Sequence, residues 1–270
     1  MKKIFLSADI EGTCGIAHWN ETEKAHGDEY APFSEQMSKE VAAACEGVLA
    51  AEDDAFVFVR DSHDSARNIR PAMLPQVSNI QLFRGWGRDP YSMMSGVDES
   101  FTGVMFTGYH SACGWDGNPL SHTMNGQNVY VKVNGEVMSE LMMNSLTAAM
   151  FGVPVLMVTG DQMLCDWFRT KVPDAVTVPV SYGVGNGSVS IMPMEATRRI
   201  KAGAEKAMAL DAARCLYPMP DSFHVEICFR QHFNARNAAW YPGCVQTDSR
   251  SVAFDCTDWM DALKFLHFCL

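Results

Sequence analysis

A series of short apolar runs, separated by helix-patterned stretches, constrains this chain more than anything else in it. Lys3–Ala8, Ala55–Arg60, Gln81–Arg84, Val104–Gly108 and Pro154–Thr159 each have the length and residue types of a buried strand. Between the first two, Met37, Val41, Ala44, Val48 and Leu49 recur at helical spacing and form one apolar face. Strand, helix, strand in that order gives a parallel sheet covered by crossover helices. The expected fold class is therefore α/β, a mostly parallel sheet flanked by helices.

The ends of these strands carry the chemistry. KIFLSAD finishes at Asp9, and Glu11 and Gly12 follow at once. Acidic residues disfavour strand interiors, so this strand ends where negative charge is wanted. AFVFVRDSH finishes at Asp61 and His63, VMFTGYH at His110, and PVLMVTGD at Asp161. In a parallel sheet the C-terminal strand ends open onto one edge, where ligands bind. Carboxylates and imidazoles delivered there by separate strands point to a metal or acid–base site, because both donors hold Zn²⁺ at about 2.0–2.2 Å. A carboxylate also bridges two ions, and Asp9 at its strand end is the candidate bridge, with Glu11 reaching from the same side. Taken singly, Asp9 and Glu11 suit a loop or a helix cap. Asp61 suits a group that caps a turn or orients His63. Asp161, after Gly160, suits a cap as well as a substrate contact.

The remaining chain adds a hairpin and a change of texture. VYVKVNGEV places Asn134-Gly135 between alternating residues, a two-residue turn signal. A helix is expected from Ser139 to Phe151, stopped by Gly152 and Pro154. Glu140 in its first turn complements the helix dipole. His122 lies in CGWDGNPLSHTMNG, which reads as a long loop. Beyond Gly183, GVGNGSVS reads as a glycine-rich loop and ATRRIKAGAEKAMAL as a helix, and strands His224–Phe229 and Ser251–Phe254 each lead into a helix. These features divide the chain into a metal-binding catalytic α/β domain at 1–185 and a smaller C-terminal α/β domain at 186–270.

Composition narrows the classes. A formal net charge of -11 over 270 residues opposes a broad nucleic-acid surface, which needs clustered Lys and Arg. No segment approaches the roughly 20 apolar residues of a membrane helix. The apolar run in MKKIFLSADIEG breaks at Asp9, short of the about 7–15 residues of a secretory core. The 9 cysteines are scattered without a C-x-x-C pair, against a zinc ribbon or a thioredoxin-type motif. They read as mostly buried thiols of a reducing compartment, and the chain as cytoplasmic.

SADIEGTCG, RDSH, GYHS, PLSHTM and VNGEVMSELMMN, in this order, resemble the zinc-dependent D-aminopeptidase family, the DppA-like peptidases. The resemblance runs from Met1 to about Asp161 and is looser beyond. It implies two zinc ions per chain, with Asp9 bridging, Glu11 and His63 completing one site, and His110 and Glu140 the other. It assigns the further catalytic histidine to His122. It implies as substrate a short peptide or amino-acid amide with a free N-terminus, and a ring-shaped homo-oligomer, a decamer, with active sites facing an inner channel. Zinc is inherited from the resemblance, since mixed His and carboxylate ligands also accept manganese or another divalent metal. The chain departs from the family pattern at Ala8, where Val is frequent, and at Gln162, where a second Asp often follows the GD. The second change alters the side chain available for a substrate contact there.

Rival readings stay open on sequence alone. A binuclear phosphoesterase is served by Arg60, Arg67 and Arg70 close to His63, although no G-x-x-x-x-G-K-[ST] loop occurs. An amino-acid amidase of L-specificity uses the same metals. A cysteine hydrolase would use Cys14 or Cys113, whose neighbouring carboxylates oppose thiolate formation. A metal-stabilised oligomer without activity would place Met138, Met142 and Met143 between subunits, where core packing explains them equally well. His18 and His26 line an entrance or lie exposed, and His224, His232 and His267 have no evident partner.

Overall fold

The computed structural model describes residues 1–270. The chain runs β1 (Lys3–Ala8), α1 (Gly27–Ala51), β2 (Phe56–Asp61), β3 (Ile80–Phe83), β4 (Gly103–Tyr109), β5 (Asn128–Val133), β6 (Glu136–Val137), α2 (Glu140–Met150), β7 (Val155–Asp161), α3 (Gln162–Lys171), β8 (Val176–Val184) and β9 (Gly187–Ser190). It continues through α4 (Pro193–Ala207), β10 (Phe223–Phe229), α5 (His232–Ala238), β11 (Val245–Gln246), β12 (Ser251–Cys256) and α6 (Trp259–Cys269). Most of the strands read from apolar runs lie where expected.

The larger sheet has the order β3-β2-β1-β4-β7-β8-β9. All its pairings are parallel except that of β9 with β8. Its central strands β4 and β7 are buried along their whole length, and β1 is buried beyond Lys3, as strands covered on both faces must be. Helix α1 packs along α4 and against β4, α2 packs against β4, and α3 packs against β7 and β8. The smaller sheet, β11-β12-β10-β5-β6, is antiparallel throughout. The turn joining β5 to β6 is Asn134-Gly135, both at positive φ, 52° and 83°, as a hairpin turn matched to strand twist requires.

Two features differ from the sequence reading. GVGNGSVS is not an open loop: Val184 pairs with Gly187 across a two-residue turn, so the segment closes the β8–β9 hairpin. The expected division at 185/186 falls inside that turn. Strand β9 belongs to the larger sheet, while β5 and β6 reach the smaller sheet from earlier in the chain. The physical reason is long-range pairing, Val131 of β5 against Ile227 of β10, which no local pattern reports. One contiguous core joins apolar side chains of both sheets, among them Val104, Val131, Ile227 and Trp259. No helix is long and apolar enough to cross a membrane.

Candidate metal centre

The turn after β1 decides the position of the first acidic pair. Gly12 lies so close to the end of β4 that a Cβ there would come 1.9 Å from the Tyr109 carbonyl oxygen. Gly108, at φ +69°, meets the Asp9 carbonyl in the same way, its Cβ falling 2.3 Å from that oxygen. Only glycine permits backbones to interlock at this distance. The ends of β1 and β4 are thereby held together, and Asp9 and Glu11 face His110.

Around them the structure gathers the six residues that the family resemblance assigns to the site, while Asp61 and Asp161 lie outside it. Asp9, Glu11, His63, His110, His122 and Glu140 are all buried, none more than 9% exposed. His63 Nδ1 lies 2.9 Å from Glu11 Oε2 and 3.3 Å from Asp9 Oδ1. His110 Nε2 lies 3.6 Å from Asp9 Oδ2 and 3.6 Å from Glu140 Oε1. His122 Nε2 lies 3.5 Å from Glu140 Oε1 and 3.7 Å from Glu11 Oε1, and its ring stacks on His110 at 4.4 Å. Glu140 reaches the cluster because Ser139 caps α2, accepting from the Met142 amide at 3.1 Å, and fixes the first turn of the helix there.

Main-chain carbonyls set the orientation of the three imidazoles. His63 Nε2 bonds the Thr22 carbonyl at 3.0 Å, His110 Nδ1 that of Ser111 at 2.9 Å, and His122 Nδ1 that of Leu120 at 2.8 Å. A carbonyl accepts only, so each of these nitrogens carries its proton, and in the neutral ring the other nitrogen presents a lone pair to the carboxylates. Indirect support comes from Asp61, which accepts from the Asn68 and Ile69 amides at 2.6 and 2.7 Å and from Asn68 Nδ2 at 2.9 Å. Asn68 Nδ2 in turn donates to the His63 carbonyl at 2.7 Å. Asp61 thus braces the His63 loop from outside the cluster.

The donor set fits divalent metal. Ligand atoms of Asp9, Glu11 and His63 lie within 4.8 Å of one another, and so do those of Asp9, His110 and Glu140. Asp9 belongs to both groups, each of its oxygens facing a different imidazole. A further group of Glu11, His110 and His122 satisfies the same limit. Two full negative charges about 4.8 Å apart repel by roughly 3–4 kcal/mol at an effective dielectric of about 20. Burial, and then the Glu11 charge, push the Asp9 carboxyl up to about 8. Burial raises Glu11 too, but the neighbouring His63 and His122 outweigh it and hold that carboxyl well below its ordinary value. Burial opposes charge on His110, yet Glu140 more than offsets it and raises the imidazole well above the usual range. Asp9 Oδ2 and His110 Nε2 are buried without a hydrogen-bond partner. Buried polar atoms are ordinarily paired, and a cation between these mutually facing atoms would satisfy both.

The cluster opens into a cavity of about 510 Å³. Trp19, on the short helix Trp19–Glu21, meets the His122 ring edge-on at 5.0 Å and forms part of the wall. Trp86, Arg88 and His267 line the cavity as well, and none was evident from sequence. His267 arrives on α6 from the far end of the chain, with no neighbouring motif to announce it. Several proposed alternatives lie elsewhere. Arg60, Arg67 and Arg70 do not line the cavity: Arg60 is buried with its Nη1 on the Gly85 carbonyl, and Arg70 pairs with Glu35 at 3.1 Å. Cys14 is buried with its thiol on the Ile191 carbonyl, and burial pushes it up to about 12. Cys113 also lies off the cavity, its thiol on the Val129 carbonyl at 2.8 Å and raised by burial. Asp161 caps α3, and Gln162 lines a different surface groove with Trp115 and Trp167. His18 caps the short helix at Trp19, and His26 pairs with Glu23 at 3.4 Å. Met138, Met142 and Met143 are buried in the core.

A parallel α/β sheet that opens buried carboxylates and imidazoles onto its C-terminal edge suits a metallohydrolase. The chain belongs to the peptidase M55 family, described as D-aminopeptidase, which it matches over residues 1–268, and it is a metal-dependent aminopeptidase. It is similar to D-aminopeptidase from Bacillus subtilis (strain 168), at 28% identity over 267 residues, 97% of this chain and 94% of that protein. Among solved structures it is similar to the Zn-dependent D-aminopeptidase DppA from Bacillus subtilis, a self-compartmentalizing protease. The two superpose with a TM-score of 0.89 at 25% identity, over 99% of this chain and 96% of that one.

Proposed function

We propose that the chain hydrolyses the amide bond after a free N-terminal residue in short peptides or amino-acid amides, with D-residues preferred as in its relative's name, using two zinc ions. The observation that carries this reading is Asp9, one carboxylate shared by two groups of potential ligands and left with an unpaired oxygen. Asp9 would hold both ions, Glu11 and His63 one of them, and His110 and Glu140 the other. When bound, such ions supply Lewis acidity, lowering the pKa of a water and polarising the carbonyl under attack.

The chain's own groups do the rest. His122, fixed by the Leu120 carbonyl, keeps Nε2 free to take a proton and deliver it to the departing amine. Trp19 covers that ring and limits its exposure to bulk water. The cavity accommodates a small substrate, consistent with short peptides.

The test is elemental analysis of zinc-supplied protein together with hydrolysis of D- and L-aminoacyl amides. Two ions per chain and faster cleavage of the D-series are expected. His122→Ala should lower turnover by about 10²–10⁴-fold with metal content unchanged. Loss of metal in that variant would reassign His122 from proton carrier to ligand. A phosphate ester hydrolysed in preference to the amides would instead support a phosphoesterase.

Two further elements belong to this reading. The chain assembles as a homo-oligomer, a decamer by the resemblance, and native mass measurement checks the number. It works in the cytoplasm, in keeping with cysteines that are all unpaired.

A further inference from the structure

The cavity that opens from the carboxylate–histidine cluster holds one side chain of fixed positive charge. That is Arg88; no lysine and no other arginine lines the wall. It is exposed and shares the wall with the carboxylates of Glu23, Asp64 and Asp89, yet it forms no ion pair and its side chain makes no hydrogen bond. An arginine among acids that pairs with none of them is available for an anion from outside.

Its base is rigid. Arg60, fully buried on β2, donates from Nη1 to the Gly85 carbonyl at 2.6 Å and stacks its guanidinium on Phe83 at 4.4 Å and on Trp86 at 4.8 Å. Trp86 Nε1 donates to the Asp64 carbonyl at 2.6 Å. Asp89 accepts from the Tyr91 amide at 3.0 Å and from Ser95 Oγ at 2.9 Å. Residues on both sides of Arg88 are therefore held, and Arg88 itself adopts φ +62°, a left-handed conformation uncommon for a residue with a side chain.

We propose that Arg88 binds the terminal carboxylate of a short peptide substrate, so that the enzyme favours free dipeptides and tripeptides over the corresponding amides. The proposal rests on the aminopeptidase reading above. The substrate it defines is zwitterionic: the bond to be cut lies at the buried cluster, and the free carboxylate at the planar, two-pronged guanidinium.

The test compares D-alanyl-glycine with D-alanyl-glycinamide on zinc-loaded wild type, Arg88→Gln and Arg88→Lys. Wild type should favour the free dipeptide by about tenfold in kcat/KM, the difference residing in KM, because a charge-assisted bond is lost with the amide. Arg88→Gln should bring that ratio close to unity, and Arg88→Lys should keep part of it. The free side chain makes an unfolded variant unexpected, and an unchanged melting temperature verifies this. A wild type that cleaves both substrates equally, or an Arg88→Gln variant that keeps the preference, overturns the role of Arg88 and leaves the aminopeptidase reading intact. Cleavage of neither substrate by wild type overturns both.

Discussion

Asp9 and Asp161 both stand at the C-terminal end of a parallel strand of the core, and both are buried, yet they have opposite surroundings. Asp161 is saturated by the protein: Oδ1 accepts from the Leu164 amide at 2.9 Å and from Ser111 Oγ at 2.7 Å, and Oδ2 from the Ser111 amide at 2.5 Å. Asp9 accepts one short bond, from the Ile10 amide at 2.7 Å, and its other oxygen has only imidazole nitrogens and carboxylates nearby. The difference teaches that position on the sheet edge does not by itself make a candidate ligand; unfilled acceptor capacity facing further potential ligand atoms does. Glu40 on α1 completes the comparison. Its Oε1 accepts from the Cys14 amide and from Gln36 Nε2, both at 3.0 Å, and its Oε2 is unpaired, but no imidazole faces it. It belongs to no group of potential metal ligands, and burial favours a proton on it instead.

Breaking Asp9 should have the largest effect. Asp9→Ala is expected to lose bound zinc and to lower amide hydrolysis by at least about a thousandfold, read by elemental analysis and initial rates. Zinc retained at the wild-type level would erase the distinction from Asp161. Asp161→Ala should behave in the opposite sense, losing the α3 cap and the Ser111 bonds at a cost of about 2–4 kcal/mol in urea unfolding while zinc content stays at the wild-type count. Zinc loss without destabilisation would place Asp161 with the ligands.

Glu40 gives the smallest effect and a sign that sharpens the contrast. Burial pushes its carboxyl from 4.5 up to about 7. The folded chain therefore holds that proton more tightly than the unfolded chain. Stability from this group is complete below about pH 4.5 and is lost as pH rises through about 7. Between pH 5 and pH 8 the wild type should lose on the order of 2 kcal/mol more than Glu40→Gln, with zinc content alike in both. Parallel stability curves would mean that Glu40 does not titrate in this window.

The parallel sheet was legible because its strands are continuous apolar runs, and their ends were legible because Asp9, His63 and His110 interrupt those runs with polar atoms. The approach of Glu140 was not, since an acidic first turn has a sufficient local explanation and its position depends on where the β5–β6 hairpin carries α2. The pairing of β5 with β10 links residues about a hundred positions apart and leaves no periodic trace. Trp19, Arg88 and His267 were invisible for a related reason: a cavity wall is assembled from separate segments, and no spacing connects them. The three arginines near His63 misled because proximity in sequence says nothing of side-chain direction. Arg60 points into an aromatic sandwich instead.

The oxygen atoms that orient His63, His110 and His122 belong to the main chain of Thr22, Ser111 and Leu120. Every amino acid carries that carbonyl. The tautomers of the imidazoles are consequently independent of which side chains occupy those three positions, provided that the backbone path is kept. A site oriented in this way is insulated against substitution in its surroundings. Drift at residues 22, 111 and 120 leaves its protons where they are, and a superposition at a TM-score of 0.89 with only 25% identity shows how far the backbone path persists while side chains change.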